Sequence, residues 1–157
     1  MERRQLAKTG MLRSAHMLGN EEEIIFTATD LLADTKLAPE LSNEAHYYRA
    51  KAYLDAGKTD GAMEDLKILA KDTRNVYGAE AKYKVAQIYF DGGQTDKAEQ
   101  EVLNYIEVST PHTYWLARSF VLLADVYMKS GRNLDAKQYL LSLKQNYQAD
   151  DDIAGSD

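Results

Sequence analysis

The side chains that most often do chemistry in proteins are few in this sequence and form no recognisable catalytic or metal-binding pattern. Cysteine is absent, which excludes disulfides, thiolate metal ligands and a cysteine nucleophile. The three histidines, His16, His46 and His112, lie far apart, and none has a second histidine or a carboxylate at metal-ligand spacing. We therefore predict no metal site and interpret each histidine as a surface or packing residue.

Carboxylate and glycine pairs give no better indication of a reaction. Glu99 and Glu101 fall where a solvated helix face is expected. The aspartates at 150–152 lack the spaced ligands of a calcium loop. Gly92-Gly93 lacks the Lys-Ser/Thr that follows the glycines of a phosphate-binding loop. We predict a protein that is not an enzyme and needs no cofactor.

Composition narrows the class of protein further. The chain has 157 residues, 45% of them hydrophobic, and a net charge of −6, which argues against a nucleic-acid partner. The sequence contains no run of about 18 apolar residues, the length needed to span a membrane, and its N-terminus lacks the apolar core of a signal peptide. We expect a soluble protein of the cytoplasm or periplasm. Because the sequence begins inside a helical pattern, we also expect a longer parent chain, whose signal could direct it to the bacterial cell envelope.

A repeated frame of small, aromatic and glycine residues organises the chain. Tyr53, Tyr89 and Tyr127 lie 36 and 38 positions apart, a period typical of stacked helical repeats. We expect the alanines of the frame to let two helices approach closely, the tyrosine to fill the space beside them, and the glycine to end the first helix. The other frame residues are Ala50, Gly57 and Ala62, then Ala86, Gly93 and Ala98, then Ala124, Gly131 and Ala136.

Helical periodicity and short connections predict an all-α fold of eight antiparallel helices in four hairpins. The hairpins are predicted over residues 4–38, 42–72, 76–108 and 110–147. Together they form a repeat domain over 1–148, followed by an acidic, fraying tail over 149–157. Pro111 is expected to be the first residue of the seventh helix. The predicted N-caps are Asn20 (with Glu23 in a capping box), Ser42, Thr59, Thr95, Ser109 or Thr110, and Asn133.

The frame Ala-x2-Tyr-x3-Gly-x4-Ala-x3-(Leu/Val) resembles the tetratricopeptide repeat, or TPR. Three copies in phase carry the resemblance over residues 42–147, and a degenerate copy precedes them. The resemblance implies a right-handed superhelix of helix hairpins, with a concave face that holds protein segments and no catalysis. The stretch 111–120, together with 148–153, looks more particularly like large TPR proteins of Bacteroidota.

In such an array the first helices of the hairpins line the inner groove, so their residues that do not face their own partner helix are candidate binding residues. This set mixes aromatic, aliphatic and charged side chains, which suits an amphipathic or extended peptide anchored by aromatic hot spots. The alternative is that Tyr47, Tyr83 and Phe90 form the core between repeats. The predicted groove residues are Tyr47, Lys51, Leu54, Tyr83, Gln87, Phe90, Arg118, Asp125 and Met128.

Two further features leave alternatives open. Tyr114 and Trp115 either wedge against the preceding hairpin, near Tyr105 and Ile106, or form an aromatic patch at the groove rim. The last helix has more apolar residues than one buried face requires. The main hypothesis is therefore a scaffold that binds a protein or peptide, and the alternative is homo-oligomerisation through an exposed end of the array. A regulatory domain attached to an enzyme outside this segment is a third reading.

Overall fold

The computed structural model describes residues 3–108 and 110–155, with side chains as far as residue 145. The described residues form α-helices and no strand, so the all-α prediction is confirmed. The chain divides into two compact units, Met1–Ala81 and Lys82–Asp157. The helices are α1 (Arg3–Leu18), α2 (Glu21–Leu32), α3 (Pro39–Asp55), α4 (Thr59–Leu69), α5 (Val76–Asp91), α6 (Thr95–Glu107), α7 (Thr113–Lys129) and α8 (Asn133–Gly155).

Four hairpin turns share one hydrogen-bond pattern, which explains the repeated Tyr-to-Gly spacing. Gly57 has a φ of +75°, in the left-handed region that favours glycine. The N–H of Gly57 donates to the carbonyl of Leu54 at 3.1 Å, and the N–H of Lys58 donates to the carbonyl of Tyr53 at 2.8 Å. These two bonds are a Schellman motif, which satisfies carbonyls at a helix end. The same two bonds recur at the turns centred on Gly19, Gly93 and Gly131.

The residue that follows the turning glycine is the N-cap of α4 and of α6, which corrects two predicted N-caps. Lys58 and Gln94 are the N-cap residues of α4 and α6, and neither makes a side-chain cap bond. Thr59 and Thr95 are therefore first helical residues rather than caps. The carbonyl of Lys58 accepts the N–H of Ala62 at 3.2 Å. The second alanine of the frame is thus where the first turn of the second helix closes.

The starts of α2 and α3 illustrate a correct and an incorrect capping prediction. Asn20 is the N-cap of α2 as predicted, and its Oδ1 accepts the N–H of Glu23 at 3.2 Å, but the N–H of Asn20 donates to the carbonyl of Ala15 and not to Glu23 as a capping box requires. The prediction for Ser42 is wrong, because α3 begins at Pro39. Proline fits the first helical turn, where its missing N–H has no partner to lose. Ser42 lies one turn inside the helix, with its N–H bonded to the carbonyl of Ala38 at 2.9 Å.

The last hairpin also differs from its predicted bounds. Helix α7 begins two residues after Pro111, which is therefore not its first residue. The hydroxyl of Thr110, one of the two predicted caps, accepts the N–H of His112 at 3.2 Å. Ser109, the other predicted cap, lies outside the described residues. Helix α8 starts at its predicted N-cap residue, so that residue is not a cap, and continues through 149–155 of the predicted tail.

In the unit Met1–Ala81, helix α3 packs against both α2 and α4. Three of its four buried residues are alanines, and two of them, Ala50 and Ala52, are only 1% and 2% exposed. Ala62 on α4 is fully buried. The ring of Tyr53 lies 3.1 Å from the position that a Cβ atom would take on Gly61. Small residues therefore permit the close approach of α3 and α4.

A buried ionic cluster joins α3 to α4. Asp65 is fully buried, and its Oδ1 lies 2.7 Å from both Nδ1 of His46 and Nη2 of Arg49. Nε of Arg49 donates to the other carboxylate oxygen at 2.9 Å, and its Nη1 donates to the hydroxyl of Thr29 on α2 at 3.1 Å. His46 thus belongs to a side-chain network that fastens the second hairpin.

Gly78 marks the closest backbone approach around the start of α5. A Cβ atom built on this glycine would lie 2.6 Å from the carbonyl oxygen of Leu69 and nearer still to that of Asp72. Real Cβ atoms essentially never come so close. Glycine is therefore required here by space rather than by backbone conformation, a constraint that the repeat frame does not reveal.

In the unit Lys82–Asp157, helix α7 packs against α6 and α8. Tyr127 is 2% exposed, and burial together with a hydrogen bond to Glu99 raises its pKa well above the ordinary value, so the phenol stays neutral. Arg132 places its guanidinium carbon 4.2 Å from the centre of that ring and pairs with Glu99 at 3.1 Å. The core cluster of this unit comprises Tyr83, Ala86, Val102, Leu122, Leu123, Ala124, Tyr127 and Ala136.

Candidate protein-binding surface

Helix α7 presents a narrow exposed stripe beside a broad buried face. From residue 117 to residue 127, only positions 118, 121 and 125 are exposed. One turn further out at each end, Tyr114 and Met128 are 57% and 53% exposed. We call Tyr114, Arg118, Val121, Asp125 and Met128 the α7 stripe. It lies on one side of the helix because its members are spaced by four and three residues.

A pocket of about 480 Å³ lies beside the α7 stripe, within the unit Lys82–Asp157. One wall comes from α5 through Tyr83 and Gln87, and Leu143 of α8 also lines the pocket. Arg118 and Asp125 line the same pocket. Four of the predicted groove residues are thus brought together around one cavity.

Arg118 is held at this pocket by aromatic residues. Its Nη2 donates to the hydroxyl of Tyr83 and its Nη1 to the hydroxyl of Tyr114, each at 3.2 Å. The guanidinium carbon lies 4.8 Å from the centre of the Tyr83 ring and 5.7 Å from that of Trp115. The hydrogen bond with Tyr114 raises the pKa of Arg118 above its ordinary value. Among the described residues, no carboxylate contacts this cation.

The α5 wall of the pocket is ordered by a run of hydrogen bonds. The hydroxyl of Tyr83 donates to Oε1 of Gln87 at 2.9 Å. Nε2 of Gln87 then donates to Oδ1 of Asp91 at 2.8 Å. Tyr83 is only 7% exposed, so it belongs to the core and still presents its hydroxyl to Arg118.

The neighbouring aromatic residues divide between core and surface. Trp115 is half-buried and packs against the core cluster, as Ile106 does. Tyr114 stands edge-on to Trp115, with ring centres 4.8 Å apart, and is exposed beside the pocket. Phe90 is half-buried against the same core, and the ammonium of Lys129 lies 5.2 Å from the centre of its ring. Phe90 and the exposed Met128 do not line the pocket.

The predicted groove residues of the other unit form a separate aromatic cluster. Tyr47 stacks on Tyr77 with ring centres 4.3 Å apart, and its hydroxyl donates to Glu80 at 3.0 Å. Burial, followed by the Glu80 charge, raises the pKa of Tyr47 well above its ordinary value. The ammonium of Lys51 lies 4.9 Å from the centre of the Tyr47 ring. Leu54, the third predicted residue of this unit, is half-buried.

Two of these contacts are equivalent in the repeat, and sequence reasoning missed their relationship. Arg118 lies 38 positions after Glu80, the spacing that separates Tyr127 from Tyr89. Tyr83 lies 36 positions after Tyr47, the spacing that separates Tyr89 from Tyr53. In one unit the tyrosine hydroxyl donates to a carboxylate, and in the other it accepts from a guanidinium. The aligned copies contain this charge reversal and could have revealed it.

Other kinds of site are not apparent in the described part of the chain. No cluster of three or more His, Cys, Asp or Glu side chains that could hold a metal ion occurs among the described residues. Nor is any helix of that part both long enough and apolar enough to cross a membrane.

The helix hairpins and their shared turns give the chain the fold of TPR-like helical repeats. The family model described as tetratricopeptide repeat matches residues 44–72, which span most of α3 and all of α4. Two crystal structures of nearly identical TPR-like repeats from a proposed kinesin light chain of Podosopora anserina, one carrying the change Q17M, are similar in fold. They have TM-scores of 0.61 and 0.59, at 19% and 20% identity, over 91% of this chain and 75% of theirs. No curated protein matches the chain.

These likenesses confirm the predicted TPR-like fold. Repeats of this kind generally mediate protein–protein interactions and are generally non-catalytic.

Proposed function

We propose that this chain is a non-catalytic interaction module that holds a peptide or protein segment against the α7 stripe and the adjoining pocket. The observation that carries the proposal is Arg118, an exposed cation that two tyrosine hydroxyls position and that no described carboxylate pairs. An ordered arginine amid aromatic rings is the kind of residue that supplies most of the affinity at protein interfaces.

The rest of the α7 stripe suits a polypeptide better than a small metabolite. Val121 and Met128 expose 45% and 53% of their surface, so each has apolar area that a partner could bury. Asp125 adds a negative charge to the same face. Apolar and charged groups therefore alternate along a surface about 21 Å long, from Tyr114 to Met128, which calls for an elongated occupant.

Site-specific photo-crosslinking tests this proposal. A photoreactive phenylalanine analogue placed at Val121 should give a discrete crosslinked polypeptide in lysate of the source organism. The matched control carries the same analogue at Gln138, an exposed position of α8. The crosslink at Val121 should disappear when Arg118 is changed to Glu. Absence of any crosslink at Val121, or one that Arg118→Glu leaves unchanged, would refute the proposal.

One observation favours homo-oligomerisation as a second candidate function. Leu134, Leu140 and Leu141 of α8 are 70%, 40% and 54% exposed. The frame equivalents of Leu140 are buried, since Leu66 and Val102 are 2% and 1% exposed. A crosslink from position 138 to a second copy, together with a dimer mass by light scattering, would favour this function.

We also propose that the segment belongs to a longer chain, of the kind that its resemblance to large TPR proteins of Bacteroidota suggests. The resemblance of residues 111–120 and 148–153 is the support for this part of the proposal, which the length of the intact gene would test.

A further inference from the structure

We infer that the occupant of the α7 stripe is an amphipathic α-helix of a partner protein, carrying an acidic and a basic side chain seven residues apart. The inference rests on the proposed function and names the chemistry of the partner. Three observations carry it: the spacing of the stripe, the covering of the equivalent face on α5, and the positions of two charges.

The spacing of the α7 stripe is that of a helix-packing seam. Its members follow one another at intervals of four, three, four and three residues. This seven-residue pattern is the one by which two α-helices pack along their length, each side chain fitting between side chains of the facing helix. An extended peptide repeats every two residues and has no corresponding register.

The protein already covers the equivalent face of α5 with a helix. Tyr83, Gln87 and Phe90 lie 38 positions before Val121, Asp125 and Met128, the period set by Tyr89 and Tyr127. On α5 these side chains are buried or half-buried, and α7 contacts Tyr83 through Arg118 and Trp115 and contacts Phe90 through Lys129. On α7 the same three positions are exposed. A face that one helix covers in the preceding copy is therefore open to a helix in this one.

The charges of the stripe specify the partner's polar residues. Arg118 and Asp125 stand seven residues apart, which separates them by about 10 Å along α7. Neither forms an ion pair among the described residues, whereas the nearby Gln87 and Asp91 are bonded to each other. A facing helix can pair with both charges only if it carries one acidic and one basic residue seven positions apart. Val121 lies between them and requires an apolar residue on the partner.

Selection from two peptide libraries tests this inference. The first library holds three-heptad peptides on an Ala-Glu-Lys helical scaffold, with the seam positions randomised, and the second is identical but has a central proline. We expect wild-type protein to enrich peptides of the first library with an acid and a base seven residues apart and an apolar residue between them. The Arg118→Glu variant should instead enrich peptides that carry a basic residue at the position where wild type selects the acidic one. The matched control Lys137→Glu makes the same charge change on an exposed part of α8 and should leave the selection unchanged.

An enriched peptide then allows a charge-swap measurement. Replacing its acid by lysine should weaken binding to the wild-type protein about tenfold or more, and binding should recover with Arg118→Glu. Circular dichroism of each variant checks that it remains helical.

The outcomes separate this inference from the proposed function. Enrichment of proline-containing peptides that depends on Arg118 would retain a peptide-binding function and overturn the helical occupant. Enrichment of helices without the charge spacing would overturn the inferred chemistry. Self-association of the protein alone, abolished by Arg118→Glu, would assign the stripe to a second copy instead. If neither library gives a peptide that binds wild type and Arg118→Glu differently, the inference and the proposed function are refuted together.

Discussion

The cluster of Asp65, His46 and Arg49 gives the sharpest test of how the second hairpin is held together. Asp65 accepts three hydrogen bonds from these two residues of α3 while being fully buried on α4. Changing Asp65 to Asn removes the negative charge and puts an N–H₂ donor where an acceptor is needed. The amide oxygen can keep the bonds that Oδ1 accepts, but Nε of Arg49 then faces the N–H₂ group without an acceptor, and the poorly solvated guanidinium loses its counter-charge.

The expected cost follows from the geometry. Breaking a buried ion pair by removing one partner typically costs about 3–5 kcal/mol, because the remaining charge stays uncompensated. The side chain of Arg49 is 18% exposed and keeps its bond to Thr29. This partial access to water places the cost of Asp65→Asn near the lower end, at about 3 kcal/mol. Since domains are stable by roughly 5–15 kcal/mol, the loss is large enough to measure easily.

Urea unfolding followed by far-UV circular dichroism measures this cost. The matched control is Glu64→Gln, which removes an exposed carboxylate from the preceding residue of α4 and should change the free energy of unfolding by less than about 0.5 kcal/mol. A loss below about 1 kcal/mol for Asp65→Asn would refute the view that this ionic cluster stabilises the hairpin.

The same cluster makes a prediction about acid. Burial opposes ionisation of Asp65, but hydrogen bonds from His46 and Arg49 outweigh it and hold the pKa of the carboxyl below its ordinary value. The folded pKa is therefore lower than the unfolded value of about 3.9, and the stability it contributes is present above that pH. It is lost as the pH falls through the folded pKa. The free energy of unfolding should fall more steeply below about pH 4 for the wild type than for Asp65→Asn, and equal slopes would contradict this.

Two further predictions concern packing. Gly78→Ala should cost about 1–3 kcal/mol of stability, because the added methyl group overlaps the carbonyl oxygens of Leu69 and Asp72. The control Gly10→Ala meets nothing within 4 Å and should stabilise α1 by up to about 1 kcal/mol. Equal melting temperatures for the two variants would show that the overlap is relieved at no cost. Ala98→Leu should overpack a fully buried position and cost about 1–3 kcal/mol of stability. The control Gln100→Leu lies on the exposed side of α6 and should not destabilise the protein. An unchanged melting temperature for Ala98→Leu would contradict the packing role of the frame alanines.

The helices and turns were predictable because the signals that specify them are local. A left-handed glycine, followed by bonds back to the carbonyls three and five residues earlier, ends each first helix wherever the frame places one. The N-caps of α4 and α6, unlike Asn20 of α2, were not predictable by the usual side-chain rule. After the turn, Lys58 and Gln94 have φ/ψ of −94°/69° and −91°/65°, which lead directly into the next helix. The turn's backbone therefore fixes the cap position, whichever side chain follows the glycine.

The candidate site was predictable only in part, because periodicity identifies a helix face and not what covers it. Tyr83 and Val121 occupy the same frame position, yet they are 7% and 45% exposed. The difference arises from α7, whose Arg118 lies over Tyr83. Long-range approaches such as that of Gly78 to the backbone of Leu69 also leave no trace in a sequence pattern.

The repeated and the variable positions therefore have different physical roles. Frame residues such as Tyr127 and Ala98 are buried, so any partner meets the scaffold through other side chains. The change from Glu80 to Arg118 at equivalent positions reverses the charge of a tyrosine-bonded side chain while keeping its contact. Glu80 is 9% exposed, whereas Arg118 faces solvent. Under the proposed function, a substitution that alters charge and exposure while keeping the contact to the tyrosine lets specificity change while the fold remains intact.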